Sequence, residues 1–252
     1  MLSKSQINLL KSLQHKKFRN QLGLFLVEGE KSVNEFMHSA YQIEAVYHTA
    51  TFAPKLLKLS GKMNFHEISL HDLQKISSLK TPQEVLALVR IPEWPQLTNT
   101  ILRQKFSICL DGVQDPGNMG TIIRTADWFG IQHIICSDDT VDVYNPKVIQ
   151  ATMGSLAHVN VYYTQLATFL PQINMPVFGA LLDGNNIYKT DFGAEGLIVM
   201  GNEGNGIRLE IKYLVNKAIT IPRSGKAESL NVGIATAIFC SEINRNMRGD
   251  GD

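Results

Sequence analysis

From Phe106 onward the chain repeats one pattern: a short continuous apolar run, then a stretch with helical periodicity, then another apolar run. The runs are Phe106–Leu110, His133–Cys136, Val159–Tyr163, Val177–Leu182, Leu197–Met200 and Ala218–Ile221. Helical stretches fall between most of them: Asn118–Phe129 closed by Gly130, Pro146–Leu156, Ala167–Gln172 and Arg208–Val215, with a long helix from Ser229 to about Asn246 at the end. Strands that are apolar on both sides have no face to offer water. The pattern therefore predicts an α/β fold with a parallel sheet covered on both faces.

The preceding residues form a smaller α/β unit. Ser3–Gln14 reads as an amphipathic helix with Ser3 as N-cap and a basic exit at His15, Lys16, Lys17 and Arg19. Strands are expected at Leu24–Val27, Ile43–His48, Phe65–Ile68 and Val85–Ile91, and helices at Glu30–Ser39 and Ser69–Ser77. Pro92, Pro95 and the polar stretch after them break the pattern. The expected organisation is a domain at 1–95, a linker at 96–104, a second domain at 105–247 and a disordered tail at 248–252. No internal repeat is present.

Hydrophobic residues make up 44% of the chain and charged residues 19%, which excludes a disordered or low-complexity class. Cys109, Cys136 and Cys240 are odd in number, far apart and set in apolar runs, as reduced core thiols are, and point to a cytoplasmic setting. No apolar stretch approaches the ~18 residues of a membrane span, and Met1–Arg19 is too polar for a signal peptide, so a soluble chain with no membrane partner is expected. The net charge of +1 hides a division: residues 1–103 hold 13 Lys and Arg against 8 Asp and Glu, a net +5, while residues 104–252 hold 11 against 15, a net −4.

Familiar cofactor motifs fail on inspection. Gly201, Gly204 and Gly206 are spaced GxxGxG and not GxGxxG, and they lie late in the domain, so a dinucleotide fingerprint is excluded. Gly225-Lys226 is followed by Ala227 where a phosphate loop needs Ser or Thr, and Thr220 stands where its first glycine belongs. The seven histidines never reach metal-ligand spacing, so no metal is expected, and there is no Gly-x-Ser-x-Gly elbow.

What remains is a concentration of polar residues at strand ends, where open α/β sheets bind ligands. Three segments stand out: Asp111-Gly-Val-Gln-Asp-Pro-Gly-Asn118 running through Arg124 to Asp127, Gly201-Asn-Glu203-Gly-Asn-Gly206-Ile207 after its strand, and Ile221-Pro222 followed by Glu228-Ser229-Leu230-Asn231. Together they resemble the three signature motifs of the SpoU (TrmH-type) branch of the SPOUT RNA methyltransferases. The resemblance covers about residues 104–247. Residues 1–95 are similar to the L30e-like substrate-binding domain many members carry in front, through Phe25-Leu-Val-Glu28-Gly29.

The resemblance implies a SPOUT-type parallel sheet whose C-terminal part forms a deep trefoil knot, a topology that general rules of chain connection would not suggest. It implies transfer of a methyl group from S-adenosyl-L-methionine to a ribose 2′-hydroxyl of RNA, and a homodimer through the C-terminal domain. Catalytic roles carry over to Arg124, Asn118, Glu203, Ser229 and Asn231, and cofactor contacts to Leu182, Met200, Gly201, Ile221, Ser229, Leu230 and Asn231. Arg124 would bind the phosphate beside the target ribose. A free guanidinium, with a pKa above about 12, is a poor base, so orientation and charge stabilisation are the roles it fits.

Each residue also has a structural reading. Arg124 suits a surface or helix-pairing arginine, Asn118 and Ser229 suit helix N-caps, and Glu203 suits a solvated loop carboxylate. Lys16, Lys17, Arg19 and Lys31 are the densest basic group and the candidates for RNA phosphate contacts, against the reading of a solvated charged face. Ribosomal RNA is the expected substrate, since the front domain accompanies many ribosomal enzymes. A tRNA 2′-O-methyltransferase and a catalytically silent RNA-binding protein of the same fold are the alternatives.

Overall fold

The computed structural model describes residues 2–52 and 63–248. It divides into two units, Met1–Glu93 with Asp142–Ala157, and Trp94–Val141 with His158–Asp252.

In the first unit, helix α1 (Lys4–Ser12) starts as expected: the Ser3 hydroxyl accepts the Gln6 N–H while the Gln6 side chain returns to the Ser3 N–H, a reciprocal capping box. A second helix, α2 (Lys16–Leu22), occupies what the sequence suggested was a basic exit. Strand β1 (Leu24–Glu28), helix α3 (Glu30–Met37), β2 (Ile43–His48), β3 (Phe65–Glu67), α4 (Leu70–Ile76) and β4 (Val85–Arg90) follow. The sheet order is β1-β4-β2-β3, with only the β2–β3 pair parallel.

The second unit begins with α5 (Asn99–Leu102). It continues through β5 (Phe106–Asp111), α6 (Pro116–Trp128) and β6 (His133–Cys136). The chain then crosses into the first unit as α7 (Pro146–Thr152) and returns as β7 (Asn160–Tyr163). Thereafter come α8 (Leu166–Phe169), β8 (Val177–Asn186), β9 (Gly196–Gly201), α9 (Leu209–Lys212), β10 (Lys217–Thr220) and α10 (Val232–Arg248). All six strands are parallel, in the order β10-β8-β9-β5-β6-β7, as continuous apolar strands require.

Two boundaries differ from the sequence-based expectation. The stretch 96–104 is not a free linker, because Leu102 is fully buried in the cluster formed by Cys109, Leu166, Leu170 and Leu197. Residues 142–157, expected within the second domain, pack in the first unit, where Tyr144 lies against Phe25 at 4.6 Å between ring centroids. Of the expected tail, Arg248 closes α10 and 249–252 lie outside the described residues. Among the described residues no helix is long and apolar enough to cross a membrane.

Candidate functional site

At the C-terminal ends of β8, β9 and β10 the second unit opens into a cavity of about 760 Å³. One wall comes from an irregular pairing. β10 pairs Ala218 with Gly179 and its next residue, Ile219, with Asn185, so Ala180–Gly184 are left out of the ladder. Leu182, in this excursion, is 73% exposed at the cavity, and its carbonyl accepts the Thr220 hydroxyl at 2.9 Å. Met200 and Gly201 from the end of β9 supply the second wall, and the segment after β10, Ile221–Gly225 and Ala227–Asn231, the third.

Backbone geometry explains the unusual glycine spacing. Asn202 and Gly206 exchange two main-chain hydrogen bonds of 3.0 Å, folding the loop onto itself. Gly206 sits at φ +67°, and a Cβ on Gly201 would stand 2.2 Å from the Gly206 carbonyl carbon. These glycines build a tight turn whose backbone faces the cavity.

The loop is fixed from below. Asp111, fully buried at the end of β5, accepts the Arg208 N–H and Nε–H, both at 2.7 Å, and Arg208 also reaches Asp139 at 3.4 Å. The hydrogen bond to Asp111 holds the Arg208 pKa above its ordinary value, against the opposing effect of burial. Asn202 donates to the Gly112 carbonyl at 2.7 Å and accepts the Gly204 and Asn205 N–H groups. Sequence reasoning assigned no role to Asp111, Arg208 or Asn202; a carboxylate ending an otherwise apolar strand was the available signal.

Three sequence segments meet at the rim in a single directional chain. Glu203 accepts hydrogen bonds from the Gln114 and Asp115 N–H groups at 3.3 and 3.2 Å and from the Asn118 amide at 2.9 Å. Burial pushes the Glu203 pKa up, but these donors outweigh it and the net shift is downward, so the carboxylate is held ionised. With its NH₂ committed to Glu203, Asn118 turns its oxygen outward and accepts from the Asn231 amide at 2.8 Å. Asn231 in turn presents its oxygen to the N–H groups of Gly233 and Ile234 at 2.9 and 3.2 Å, capping α10. Each amide is oriented by the next group in the chain.

A family model for the SpoU rRNA Methylase family matches residues 105–241, and one for the MRM3-like substrate binding domain matches residues 4–87. The chain belongs to the SpoU rRNA methylase family. The 23S rRNA (guanosine(2553)-2'-O)-methyltransferase RlmP of Bacillus subtilis is 30% identical over 234 residues, which is 91% of this chain and 92% of RlmP. A solved TrmH-family structure from Porphyromonas gingivalis is 38% identical, with a TM-score of 0.89 over 99% of this chain and 100% of that one. The AdoMet-bound rRNA methyltransferase from Sinorhizobium meliloti is 26% identical, with a TM-score of 0.87 over 98% of this chain and 97% of that one.

Within this SpoU-family chain, several expected residues sit differently from their sequence reading. The N-cap of α6 is Asp115, whose carboxylate accepts the Asn118 N–H at 2.8 Å; Asn118 lies inside the first turn. Ser229 precedes α10 in the exposed loop, and the capping role falls to Asn231. Glu203 folds back on 114–118 and is no free loop carboxylate. Leu182, Met200, Gly201, Glu203, Ile221, Ser229, Leu230 and Asn231 all line the cavity, whereas Asn118 and Arg124 do not. Arg124 is exposed on α6, and its side chain makes no hydrogen bond or ion pair among the described residues. In the first unit Lys16, Lys17 and Lys31 are exposed, but Arg19 is 2% exposed, with its guanidinium bound to Asp142 and to the Leu13 carbonyl. Arg19 is thus withdrawn from the RNA-contact set: its charge is spent inside the fold.

Proposed function

We propose that the chain is an S-adenosyl-L-methionine-dependent RNA 2′-O-ribose methyltransferase acting on ribosomal RNA. The observation that carries this reading is the Glu203–Asn118–Asn231 chain, which joins all three segments at the mouth of one cavity. The names of RlmP and of the AdoMet-bound Sinorhizobium meliloti enzyme support the substrate class and the cofactor.

The cavity fits that cofactor. Leu182, Met200, Ile221 and Leu230 give it apolar walls, and the main chain of Gly201 and Ile221, which also line it, would hold the edge of the cofactor's heterocycle. When bound, the cofactor supplies a methyl group on a positively charged sulfur, open to in-line displacement. Ser229 and Asn231 stand at the wall where the polar end of such a ligand and the incoming ribose would meet. The amide chain keeps Asn118 and Asn231 in one orientation, so that reacting groups are positioned with little reorganisation. Arg124 would hold the phosphate beside the target ribose, a role suited to an exposed guanidinium with its donors unspent.

The basic side chains Lys16, Lys17 and Lys31 are the RNA contacts of the first unit in this reading. The family's knot and a homodimer through the second unit belong to the same proposal. Trp128 is 84% exposed one turn beyond Arg124, and Ile234 on the packed helix α10 is exposed too, which suits a face covered by a second copy. Three buried free thiols accord with a reducing, cytoplasmic setting; burial pushes Cys240 up to about 12.

The test is methyl transfer from radiolabelled S-adenosylmethionine to ribosomal RNA and, separately, to tRNA, both from cells lacking the protein, followed by mapping of 2′-O-methyl positions. Arg124→Ala is expected to abolish transfer while calorimetric cofactor affinity stays within about twofold. A fully active R124A enzyme, or labelling of tRNA alone, overturns the corresponding part of the assignment.

A further inference from the structure

The Gly225-Lys226 dipeptide, rejected as a phosphate loop, lies in the segment between β10 and α10 that forms a wall of the cavity. From Pro222 to Asn231 every residue is exposed. The Arg223 guanidinium donates one hydrogen bond, from Nη1 to the Ala227 carbonyl at 3.0 Å, which closes the turn containing Lys226. Among the described residues neither Arg223 nor Lys226 meets a carboxylate, and Arg223 keeps its other donors unspent. Arg208 and Arg245, by contrast, are both committed to acidic partners.

This matters because residues 104–252 carry a net charge of −4, which repels a polyanion. A ribose presented to this cavity arrives with a phosphate on either side, and the cations near the rim must offset the surrounding field. Arg223 stands on the wall formed by the third segment, Lys226 is exposed three residues further along the same turn, and Arg124 stands on α6.

Resting on the methyltransferase reading, we propose that Arg223 and Lys226 form a second anion grip, which takes a backbone phosphate of the RNA strand entering the cavity. The Arg223–Ala227 hydrogen bond sets the shape of the turn, leaving the rest of the guanidinium fork for phosphate oxygens. The grip reads the sugar-phosphate backbone and not base identity, so it adds affinity and register without sequence preference.

The test uses the full chain, oligouridylate as the binding probe and ribosomal RNA from cells lacking the protein as the methyl acceptor. Arg223→Ala with Lys226→Ala is expected to weaken oligouridylate binding about tenfold at low salt. The slope of log affinity against log salt should fall by about 0.7 for each phosphate no longer held. The KM for ribosomal RNA should rise, calorimetric cofactor affinity should hold, and Arg223→Lys with Lys226→Arg should restore the salt slope. An unchanged salt slope overturns the proposal. So does a loss of cofactor binding that the charge-preserving pair does not rescue, which would make the turn only a cavity wall. If wild-type protein does not methylate ribosomal RNA, the ribosomal methyltransferase reading fails, while the binding arm still reports on the grip.

Discussion

Removing the Arg19 guanidinium is the sharpest test of how the first unit is held together. Arg19 and Asp142 form an ion pair at 2.5 Å with side chains only 3% and 11% exposed, and Arg19 also satisfies the Leu13 carbonyl at 2.8 Å. Arg19→Ala leaves a nearly buried carboxylate uncompensated, which costs about 3–5 kcal/mol when a buried pair is broken from one side. At 1.36 kcal/mol per decade, amide hydrogen exchange in β1 and α7 should accelerate by roughly 150-fold or more. The assay has an internal control: the chain's two tryptophans, Trp94 and Trp128, both lie in the second unit, so their fluorescence transition should stay put. Replacing both partners, Arg19→Met with Asp142→Leu, should recover part of the loss, since an apolar pair of similar volume escapes the desolvation cost while the Leu13 carbonyl and the Tyr144 N–H lose their partners. The salt slope of RNA binding should not change in the double variant. Protection unchanged within about 0.5 kcal/mol, together with a reduced salt slope, would refute the assignment of Arg19 to the interior and return it to the RNA surface.

Other expected outcomes follow from the site. Gly201→Ala forces a Cβ against the Gly206 carbonyl and should lower cofactor affinity by more than tenfold in calorimetry, whereas Gly206→Ala, with nothing within 4 Å, should cost only the left-handed strain of about 1–2 kcal/mol in urea unfolding. Asn231→Ala removes the α10 cap, about 1 kcal/mol in stability, and should lower kcat further than that loss explains because Asn118 loses its partner. His133 is buried with neither ring nitrogen hydrogen-bonded, and burial, then the Lys105 charge, depress its pKa. Its neutral form is the folded one, so this contribution is intact above the unfolded value of about 6.5 and is lost as pH falls through 6.5 toward the lower folded pKa. His133→Leu should flatten that part of the stability–pH curve, and an unchanged curve would count against the assignment.

The parallel sheet was legible because its strands are short apolar runs, and the cavity's lining because polar residues gather where those runs end. What escaped the sequence were choices settled by long-range partners. The α2 segment Lys16–Leu22 offers only Phe18 and Leu22 as an apolar stripe, too short to announce it, and its central Arg19 is buried where Asp142 meets it 123 residues away. Ser229 and Asn231 are equally good caps by type; the packing of Gly233 against Thr121 accompanies a start at Val232. The Asp111–Arg208 clamp spans 97 residues, and neither side chain declares its partner locally.

The first unit is discontinuous in sequence, and that has a consequence for synthesis. A ribosome that has made Glu93 has not yet made the segment that completes this unit, which ends 64 residues later at Ala157. At about 5–20 residues per second, the nascent unit waits several seconds with Asp142 missing beside Arg19 and Tyr144 missing beside Phe25. The usual order, in which an N-terminal domain finishes before its successor begins, is closed to this chain, and its two halves must mature in an interleaved sequence.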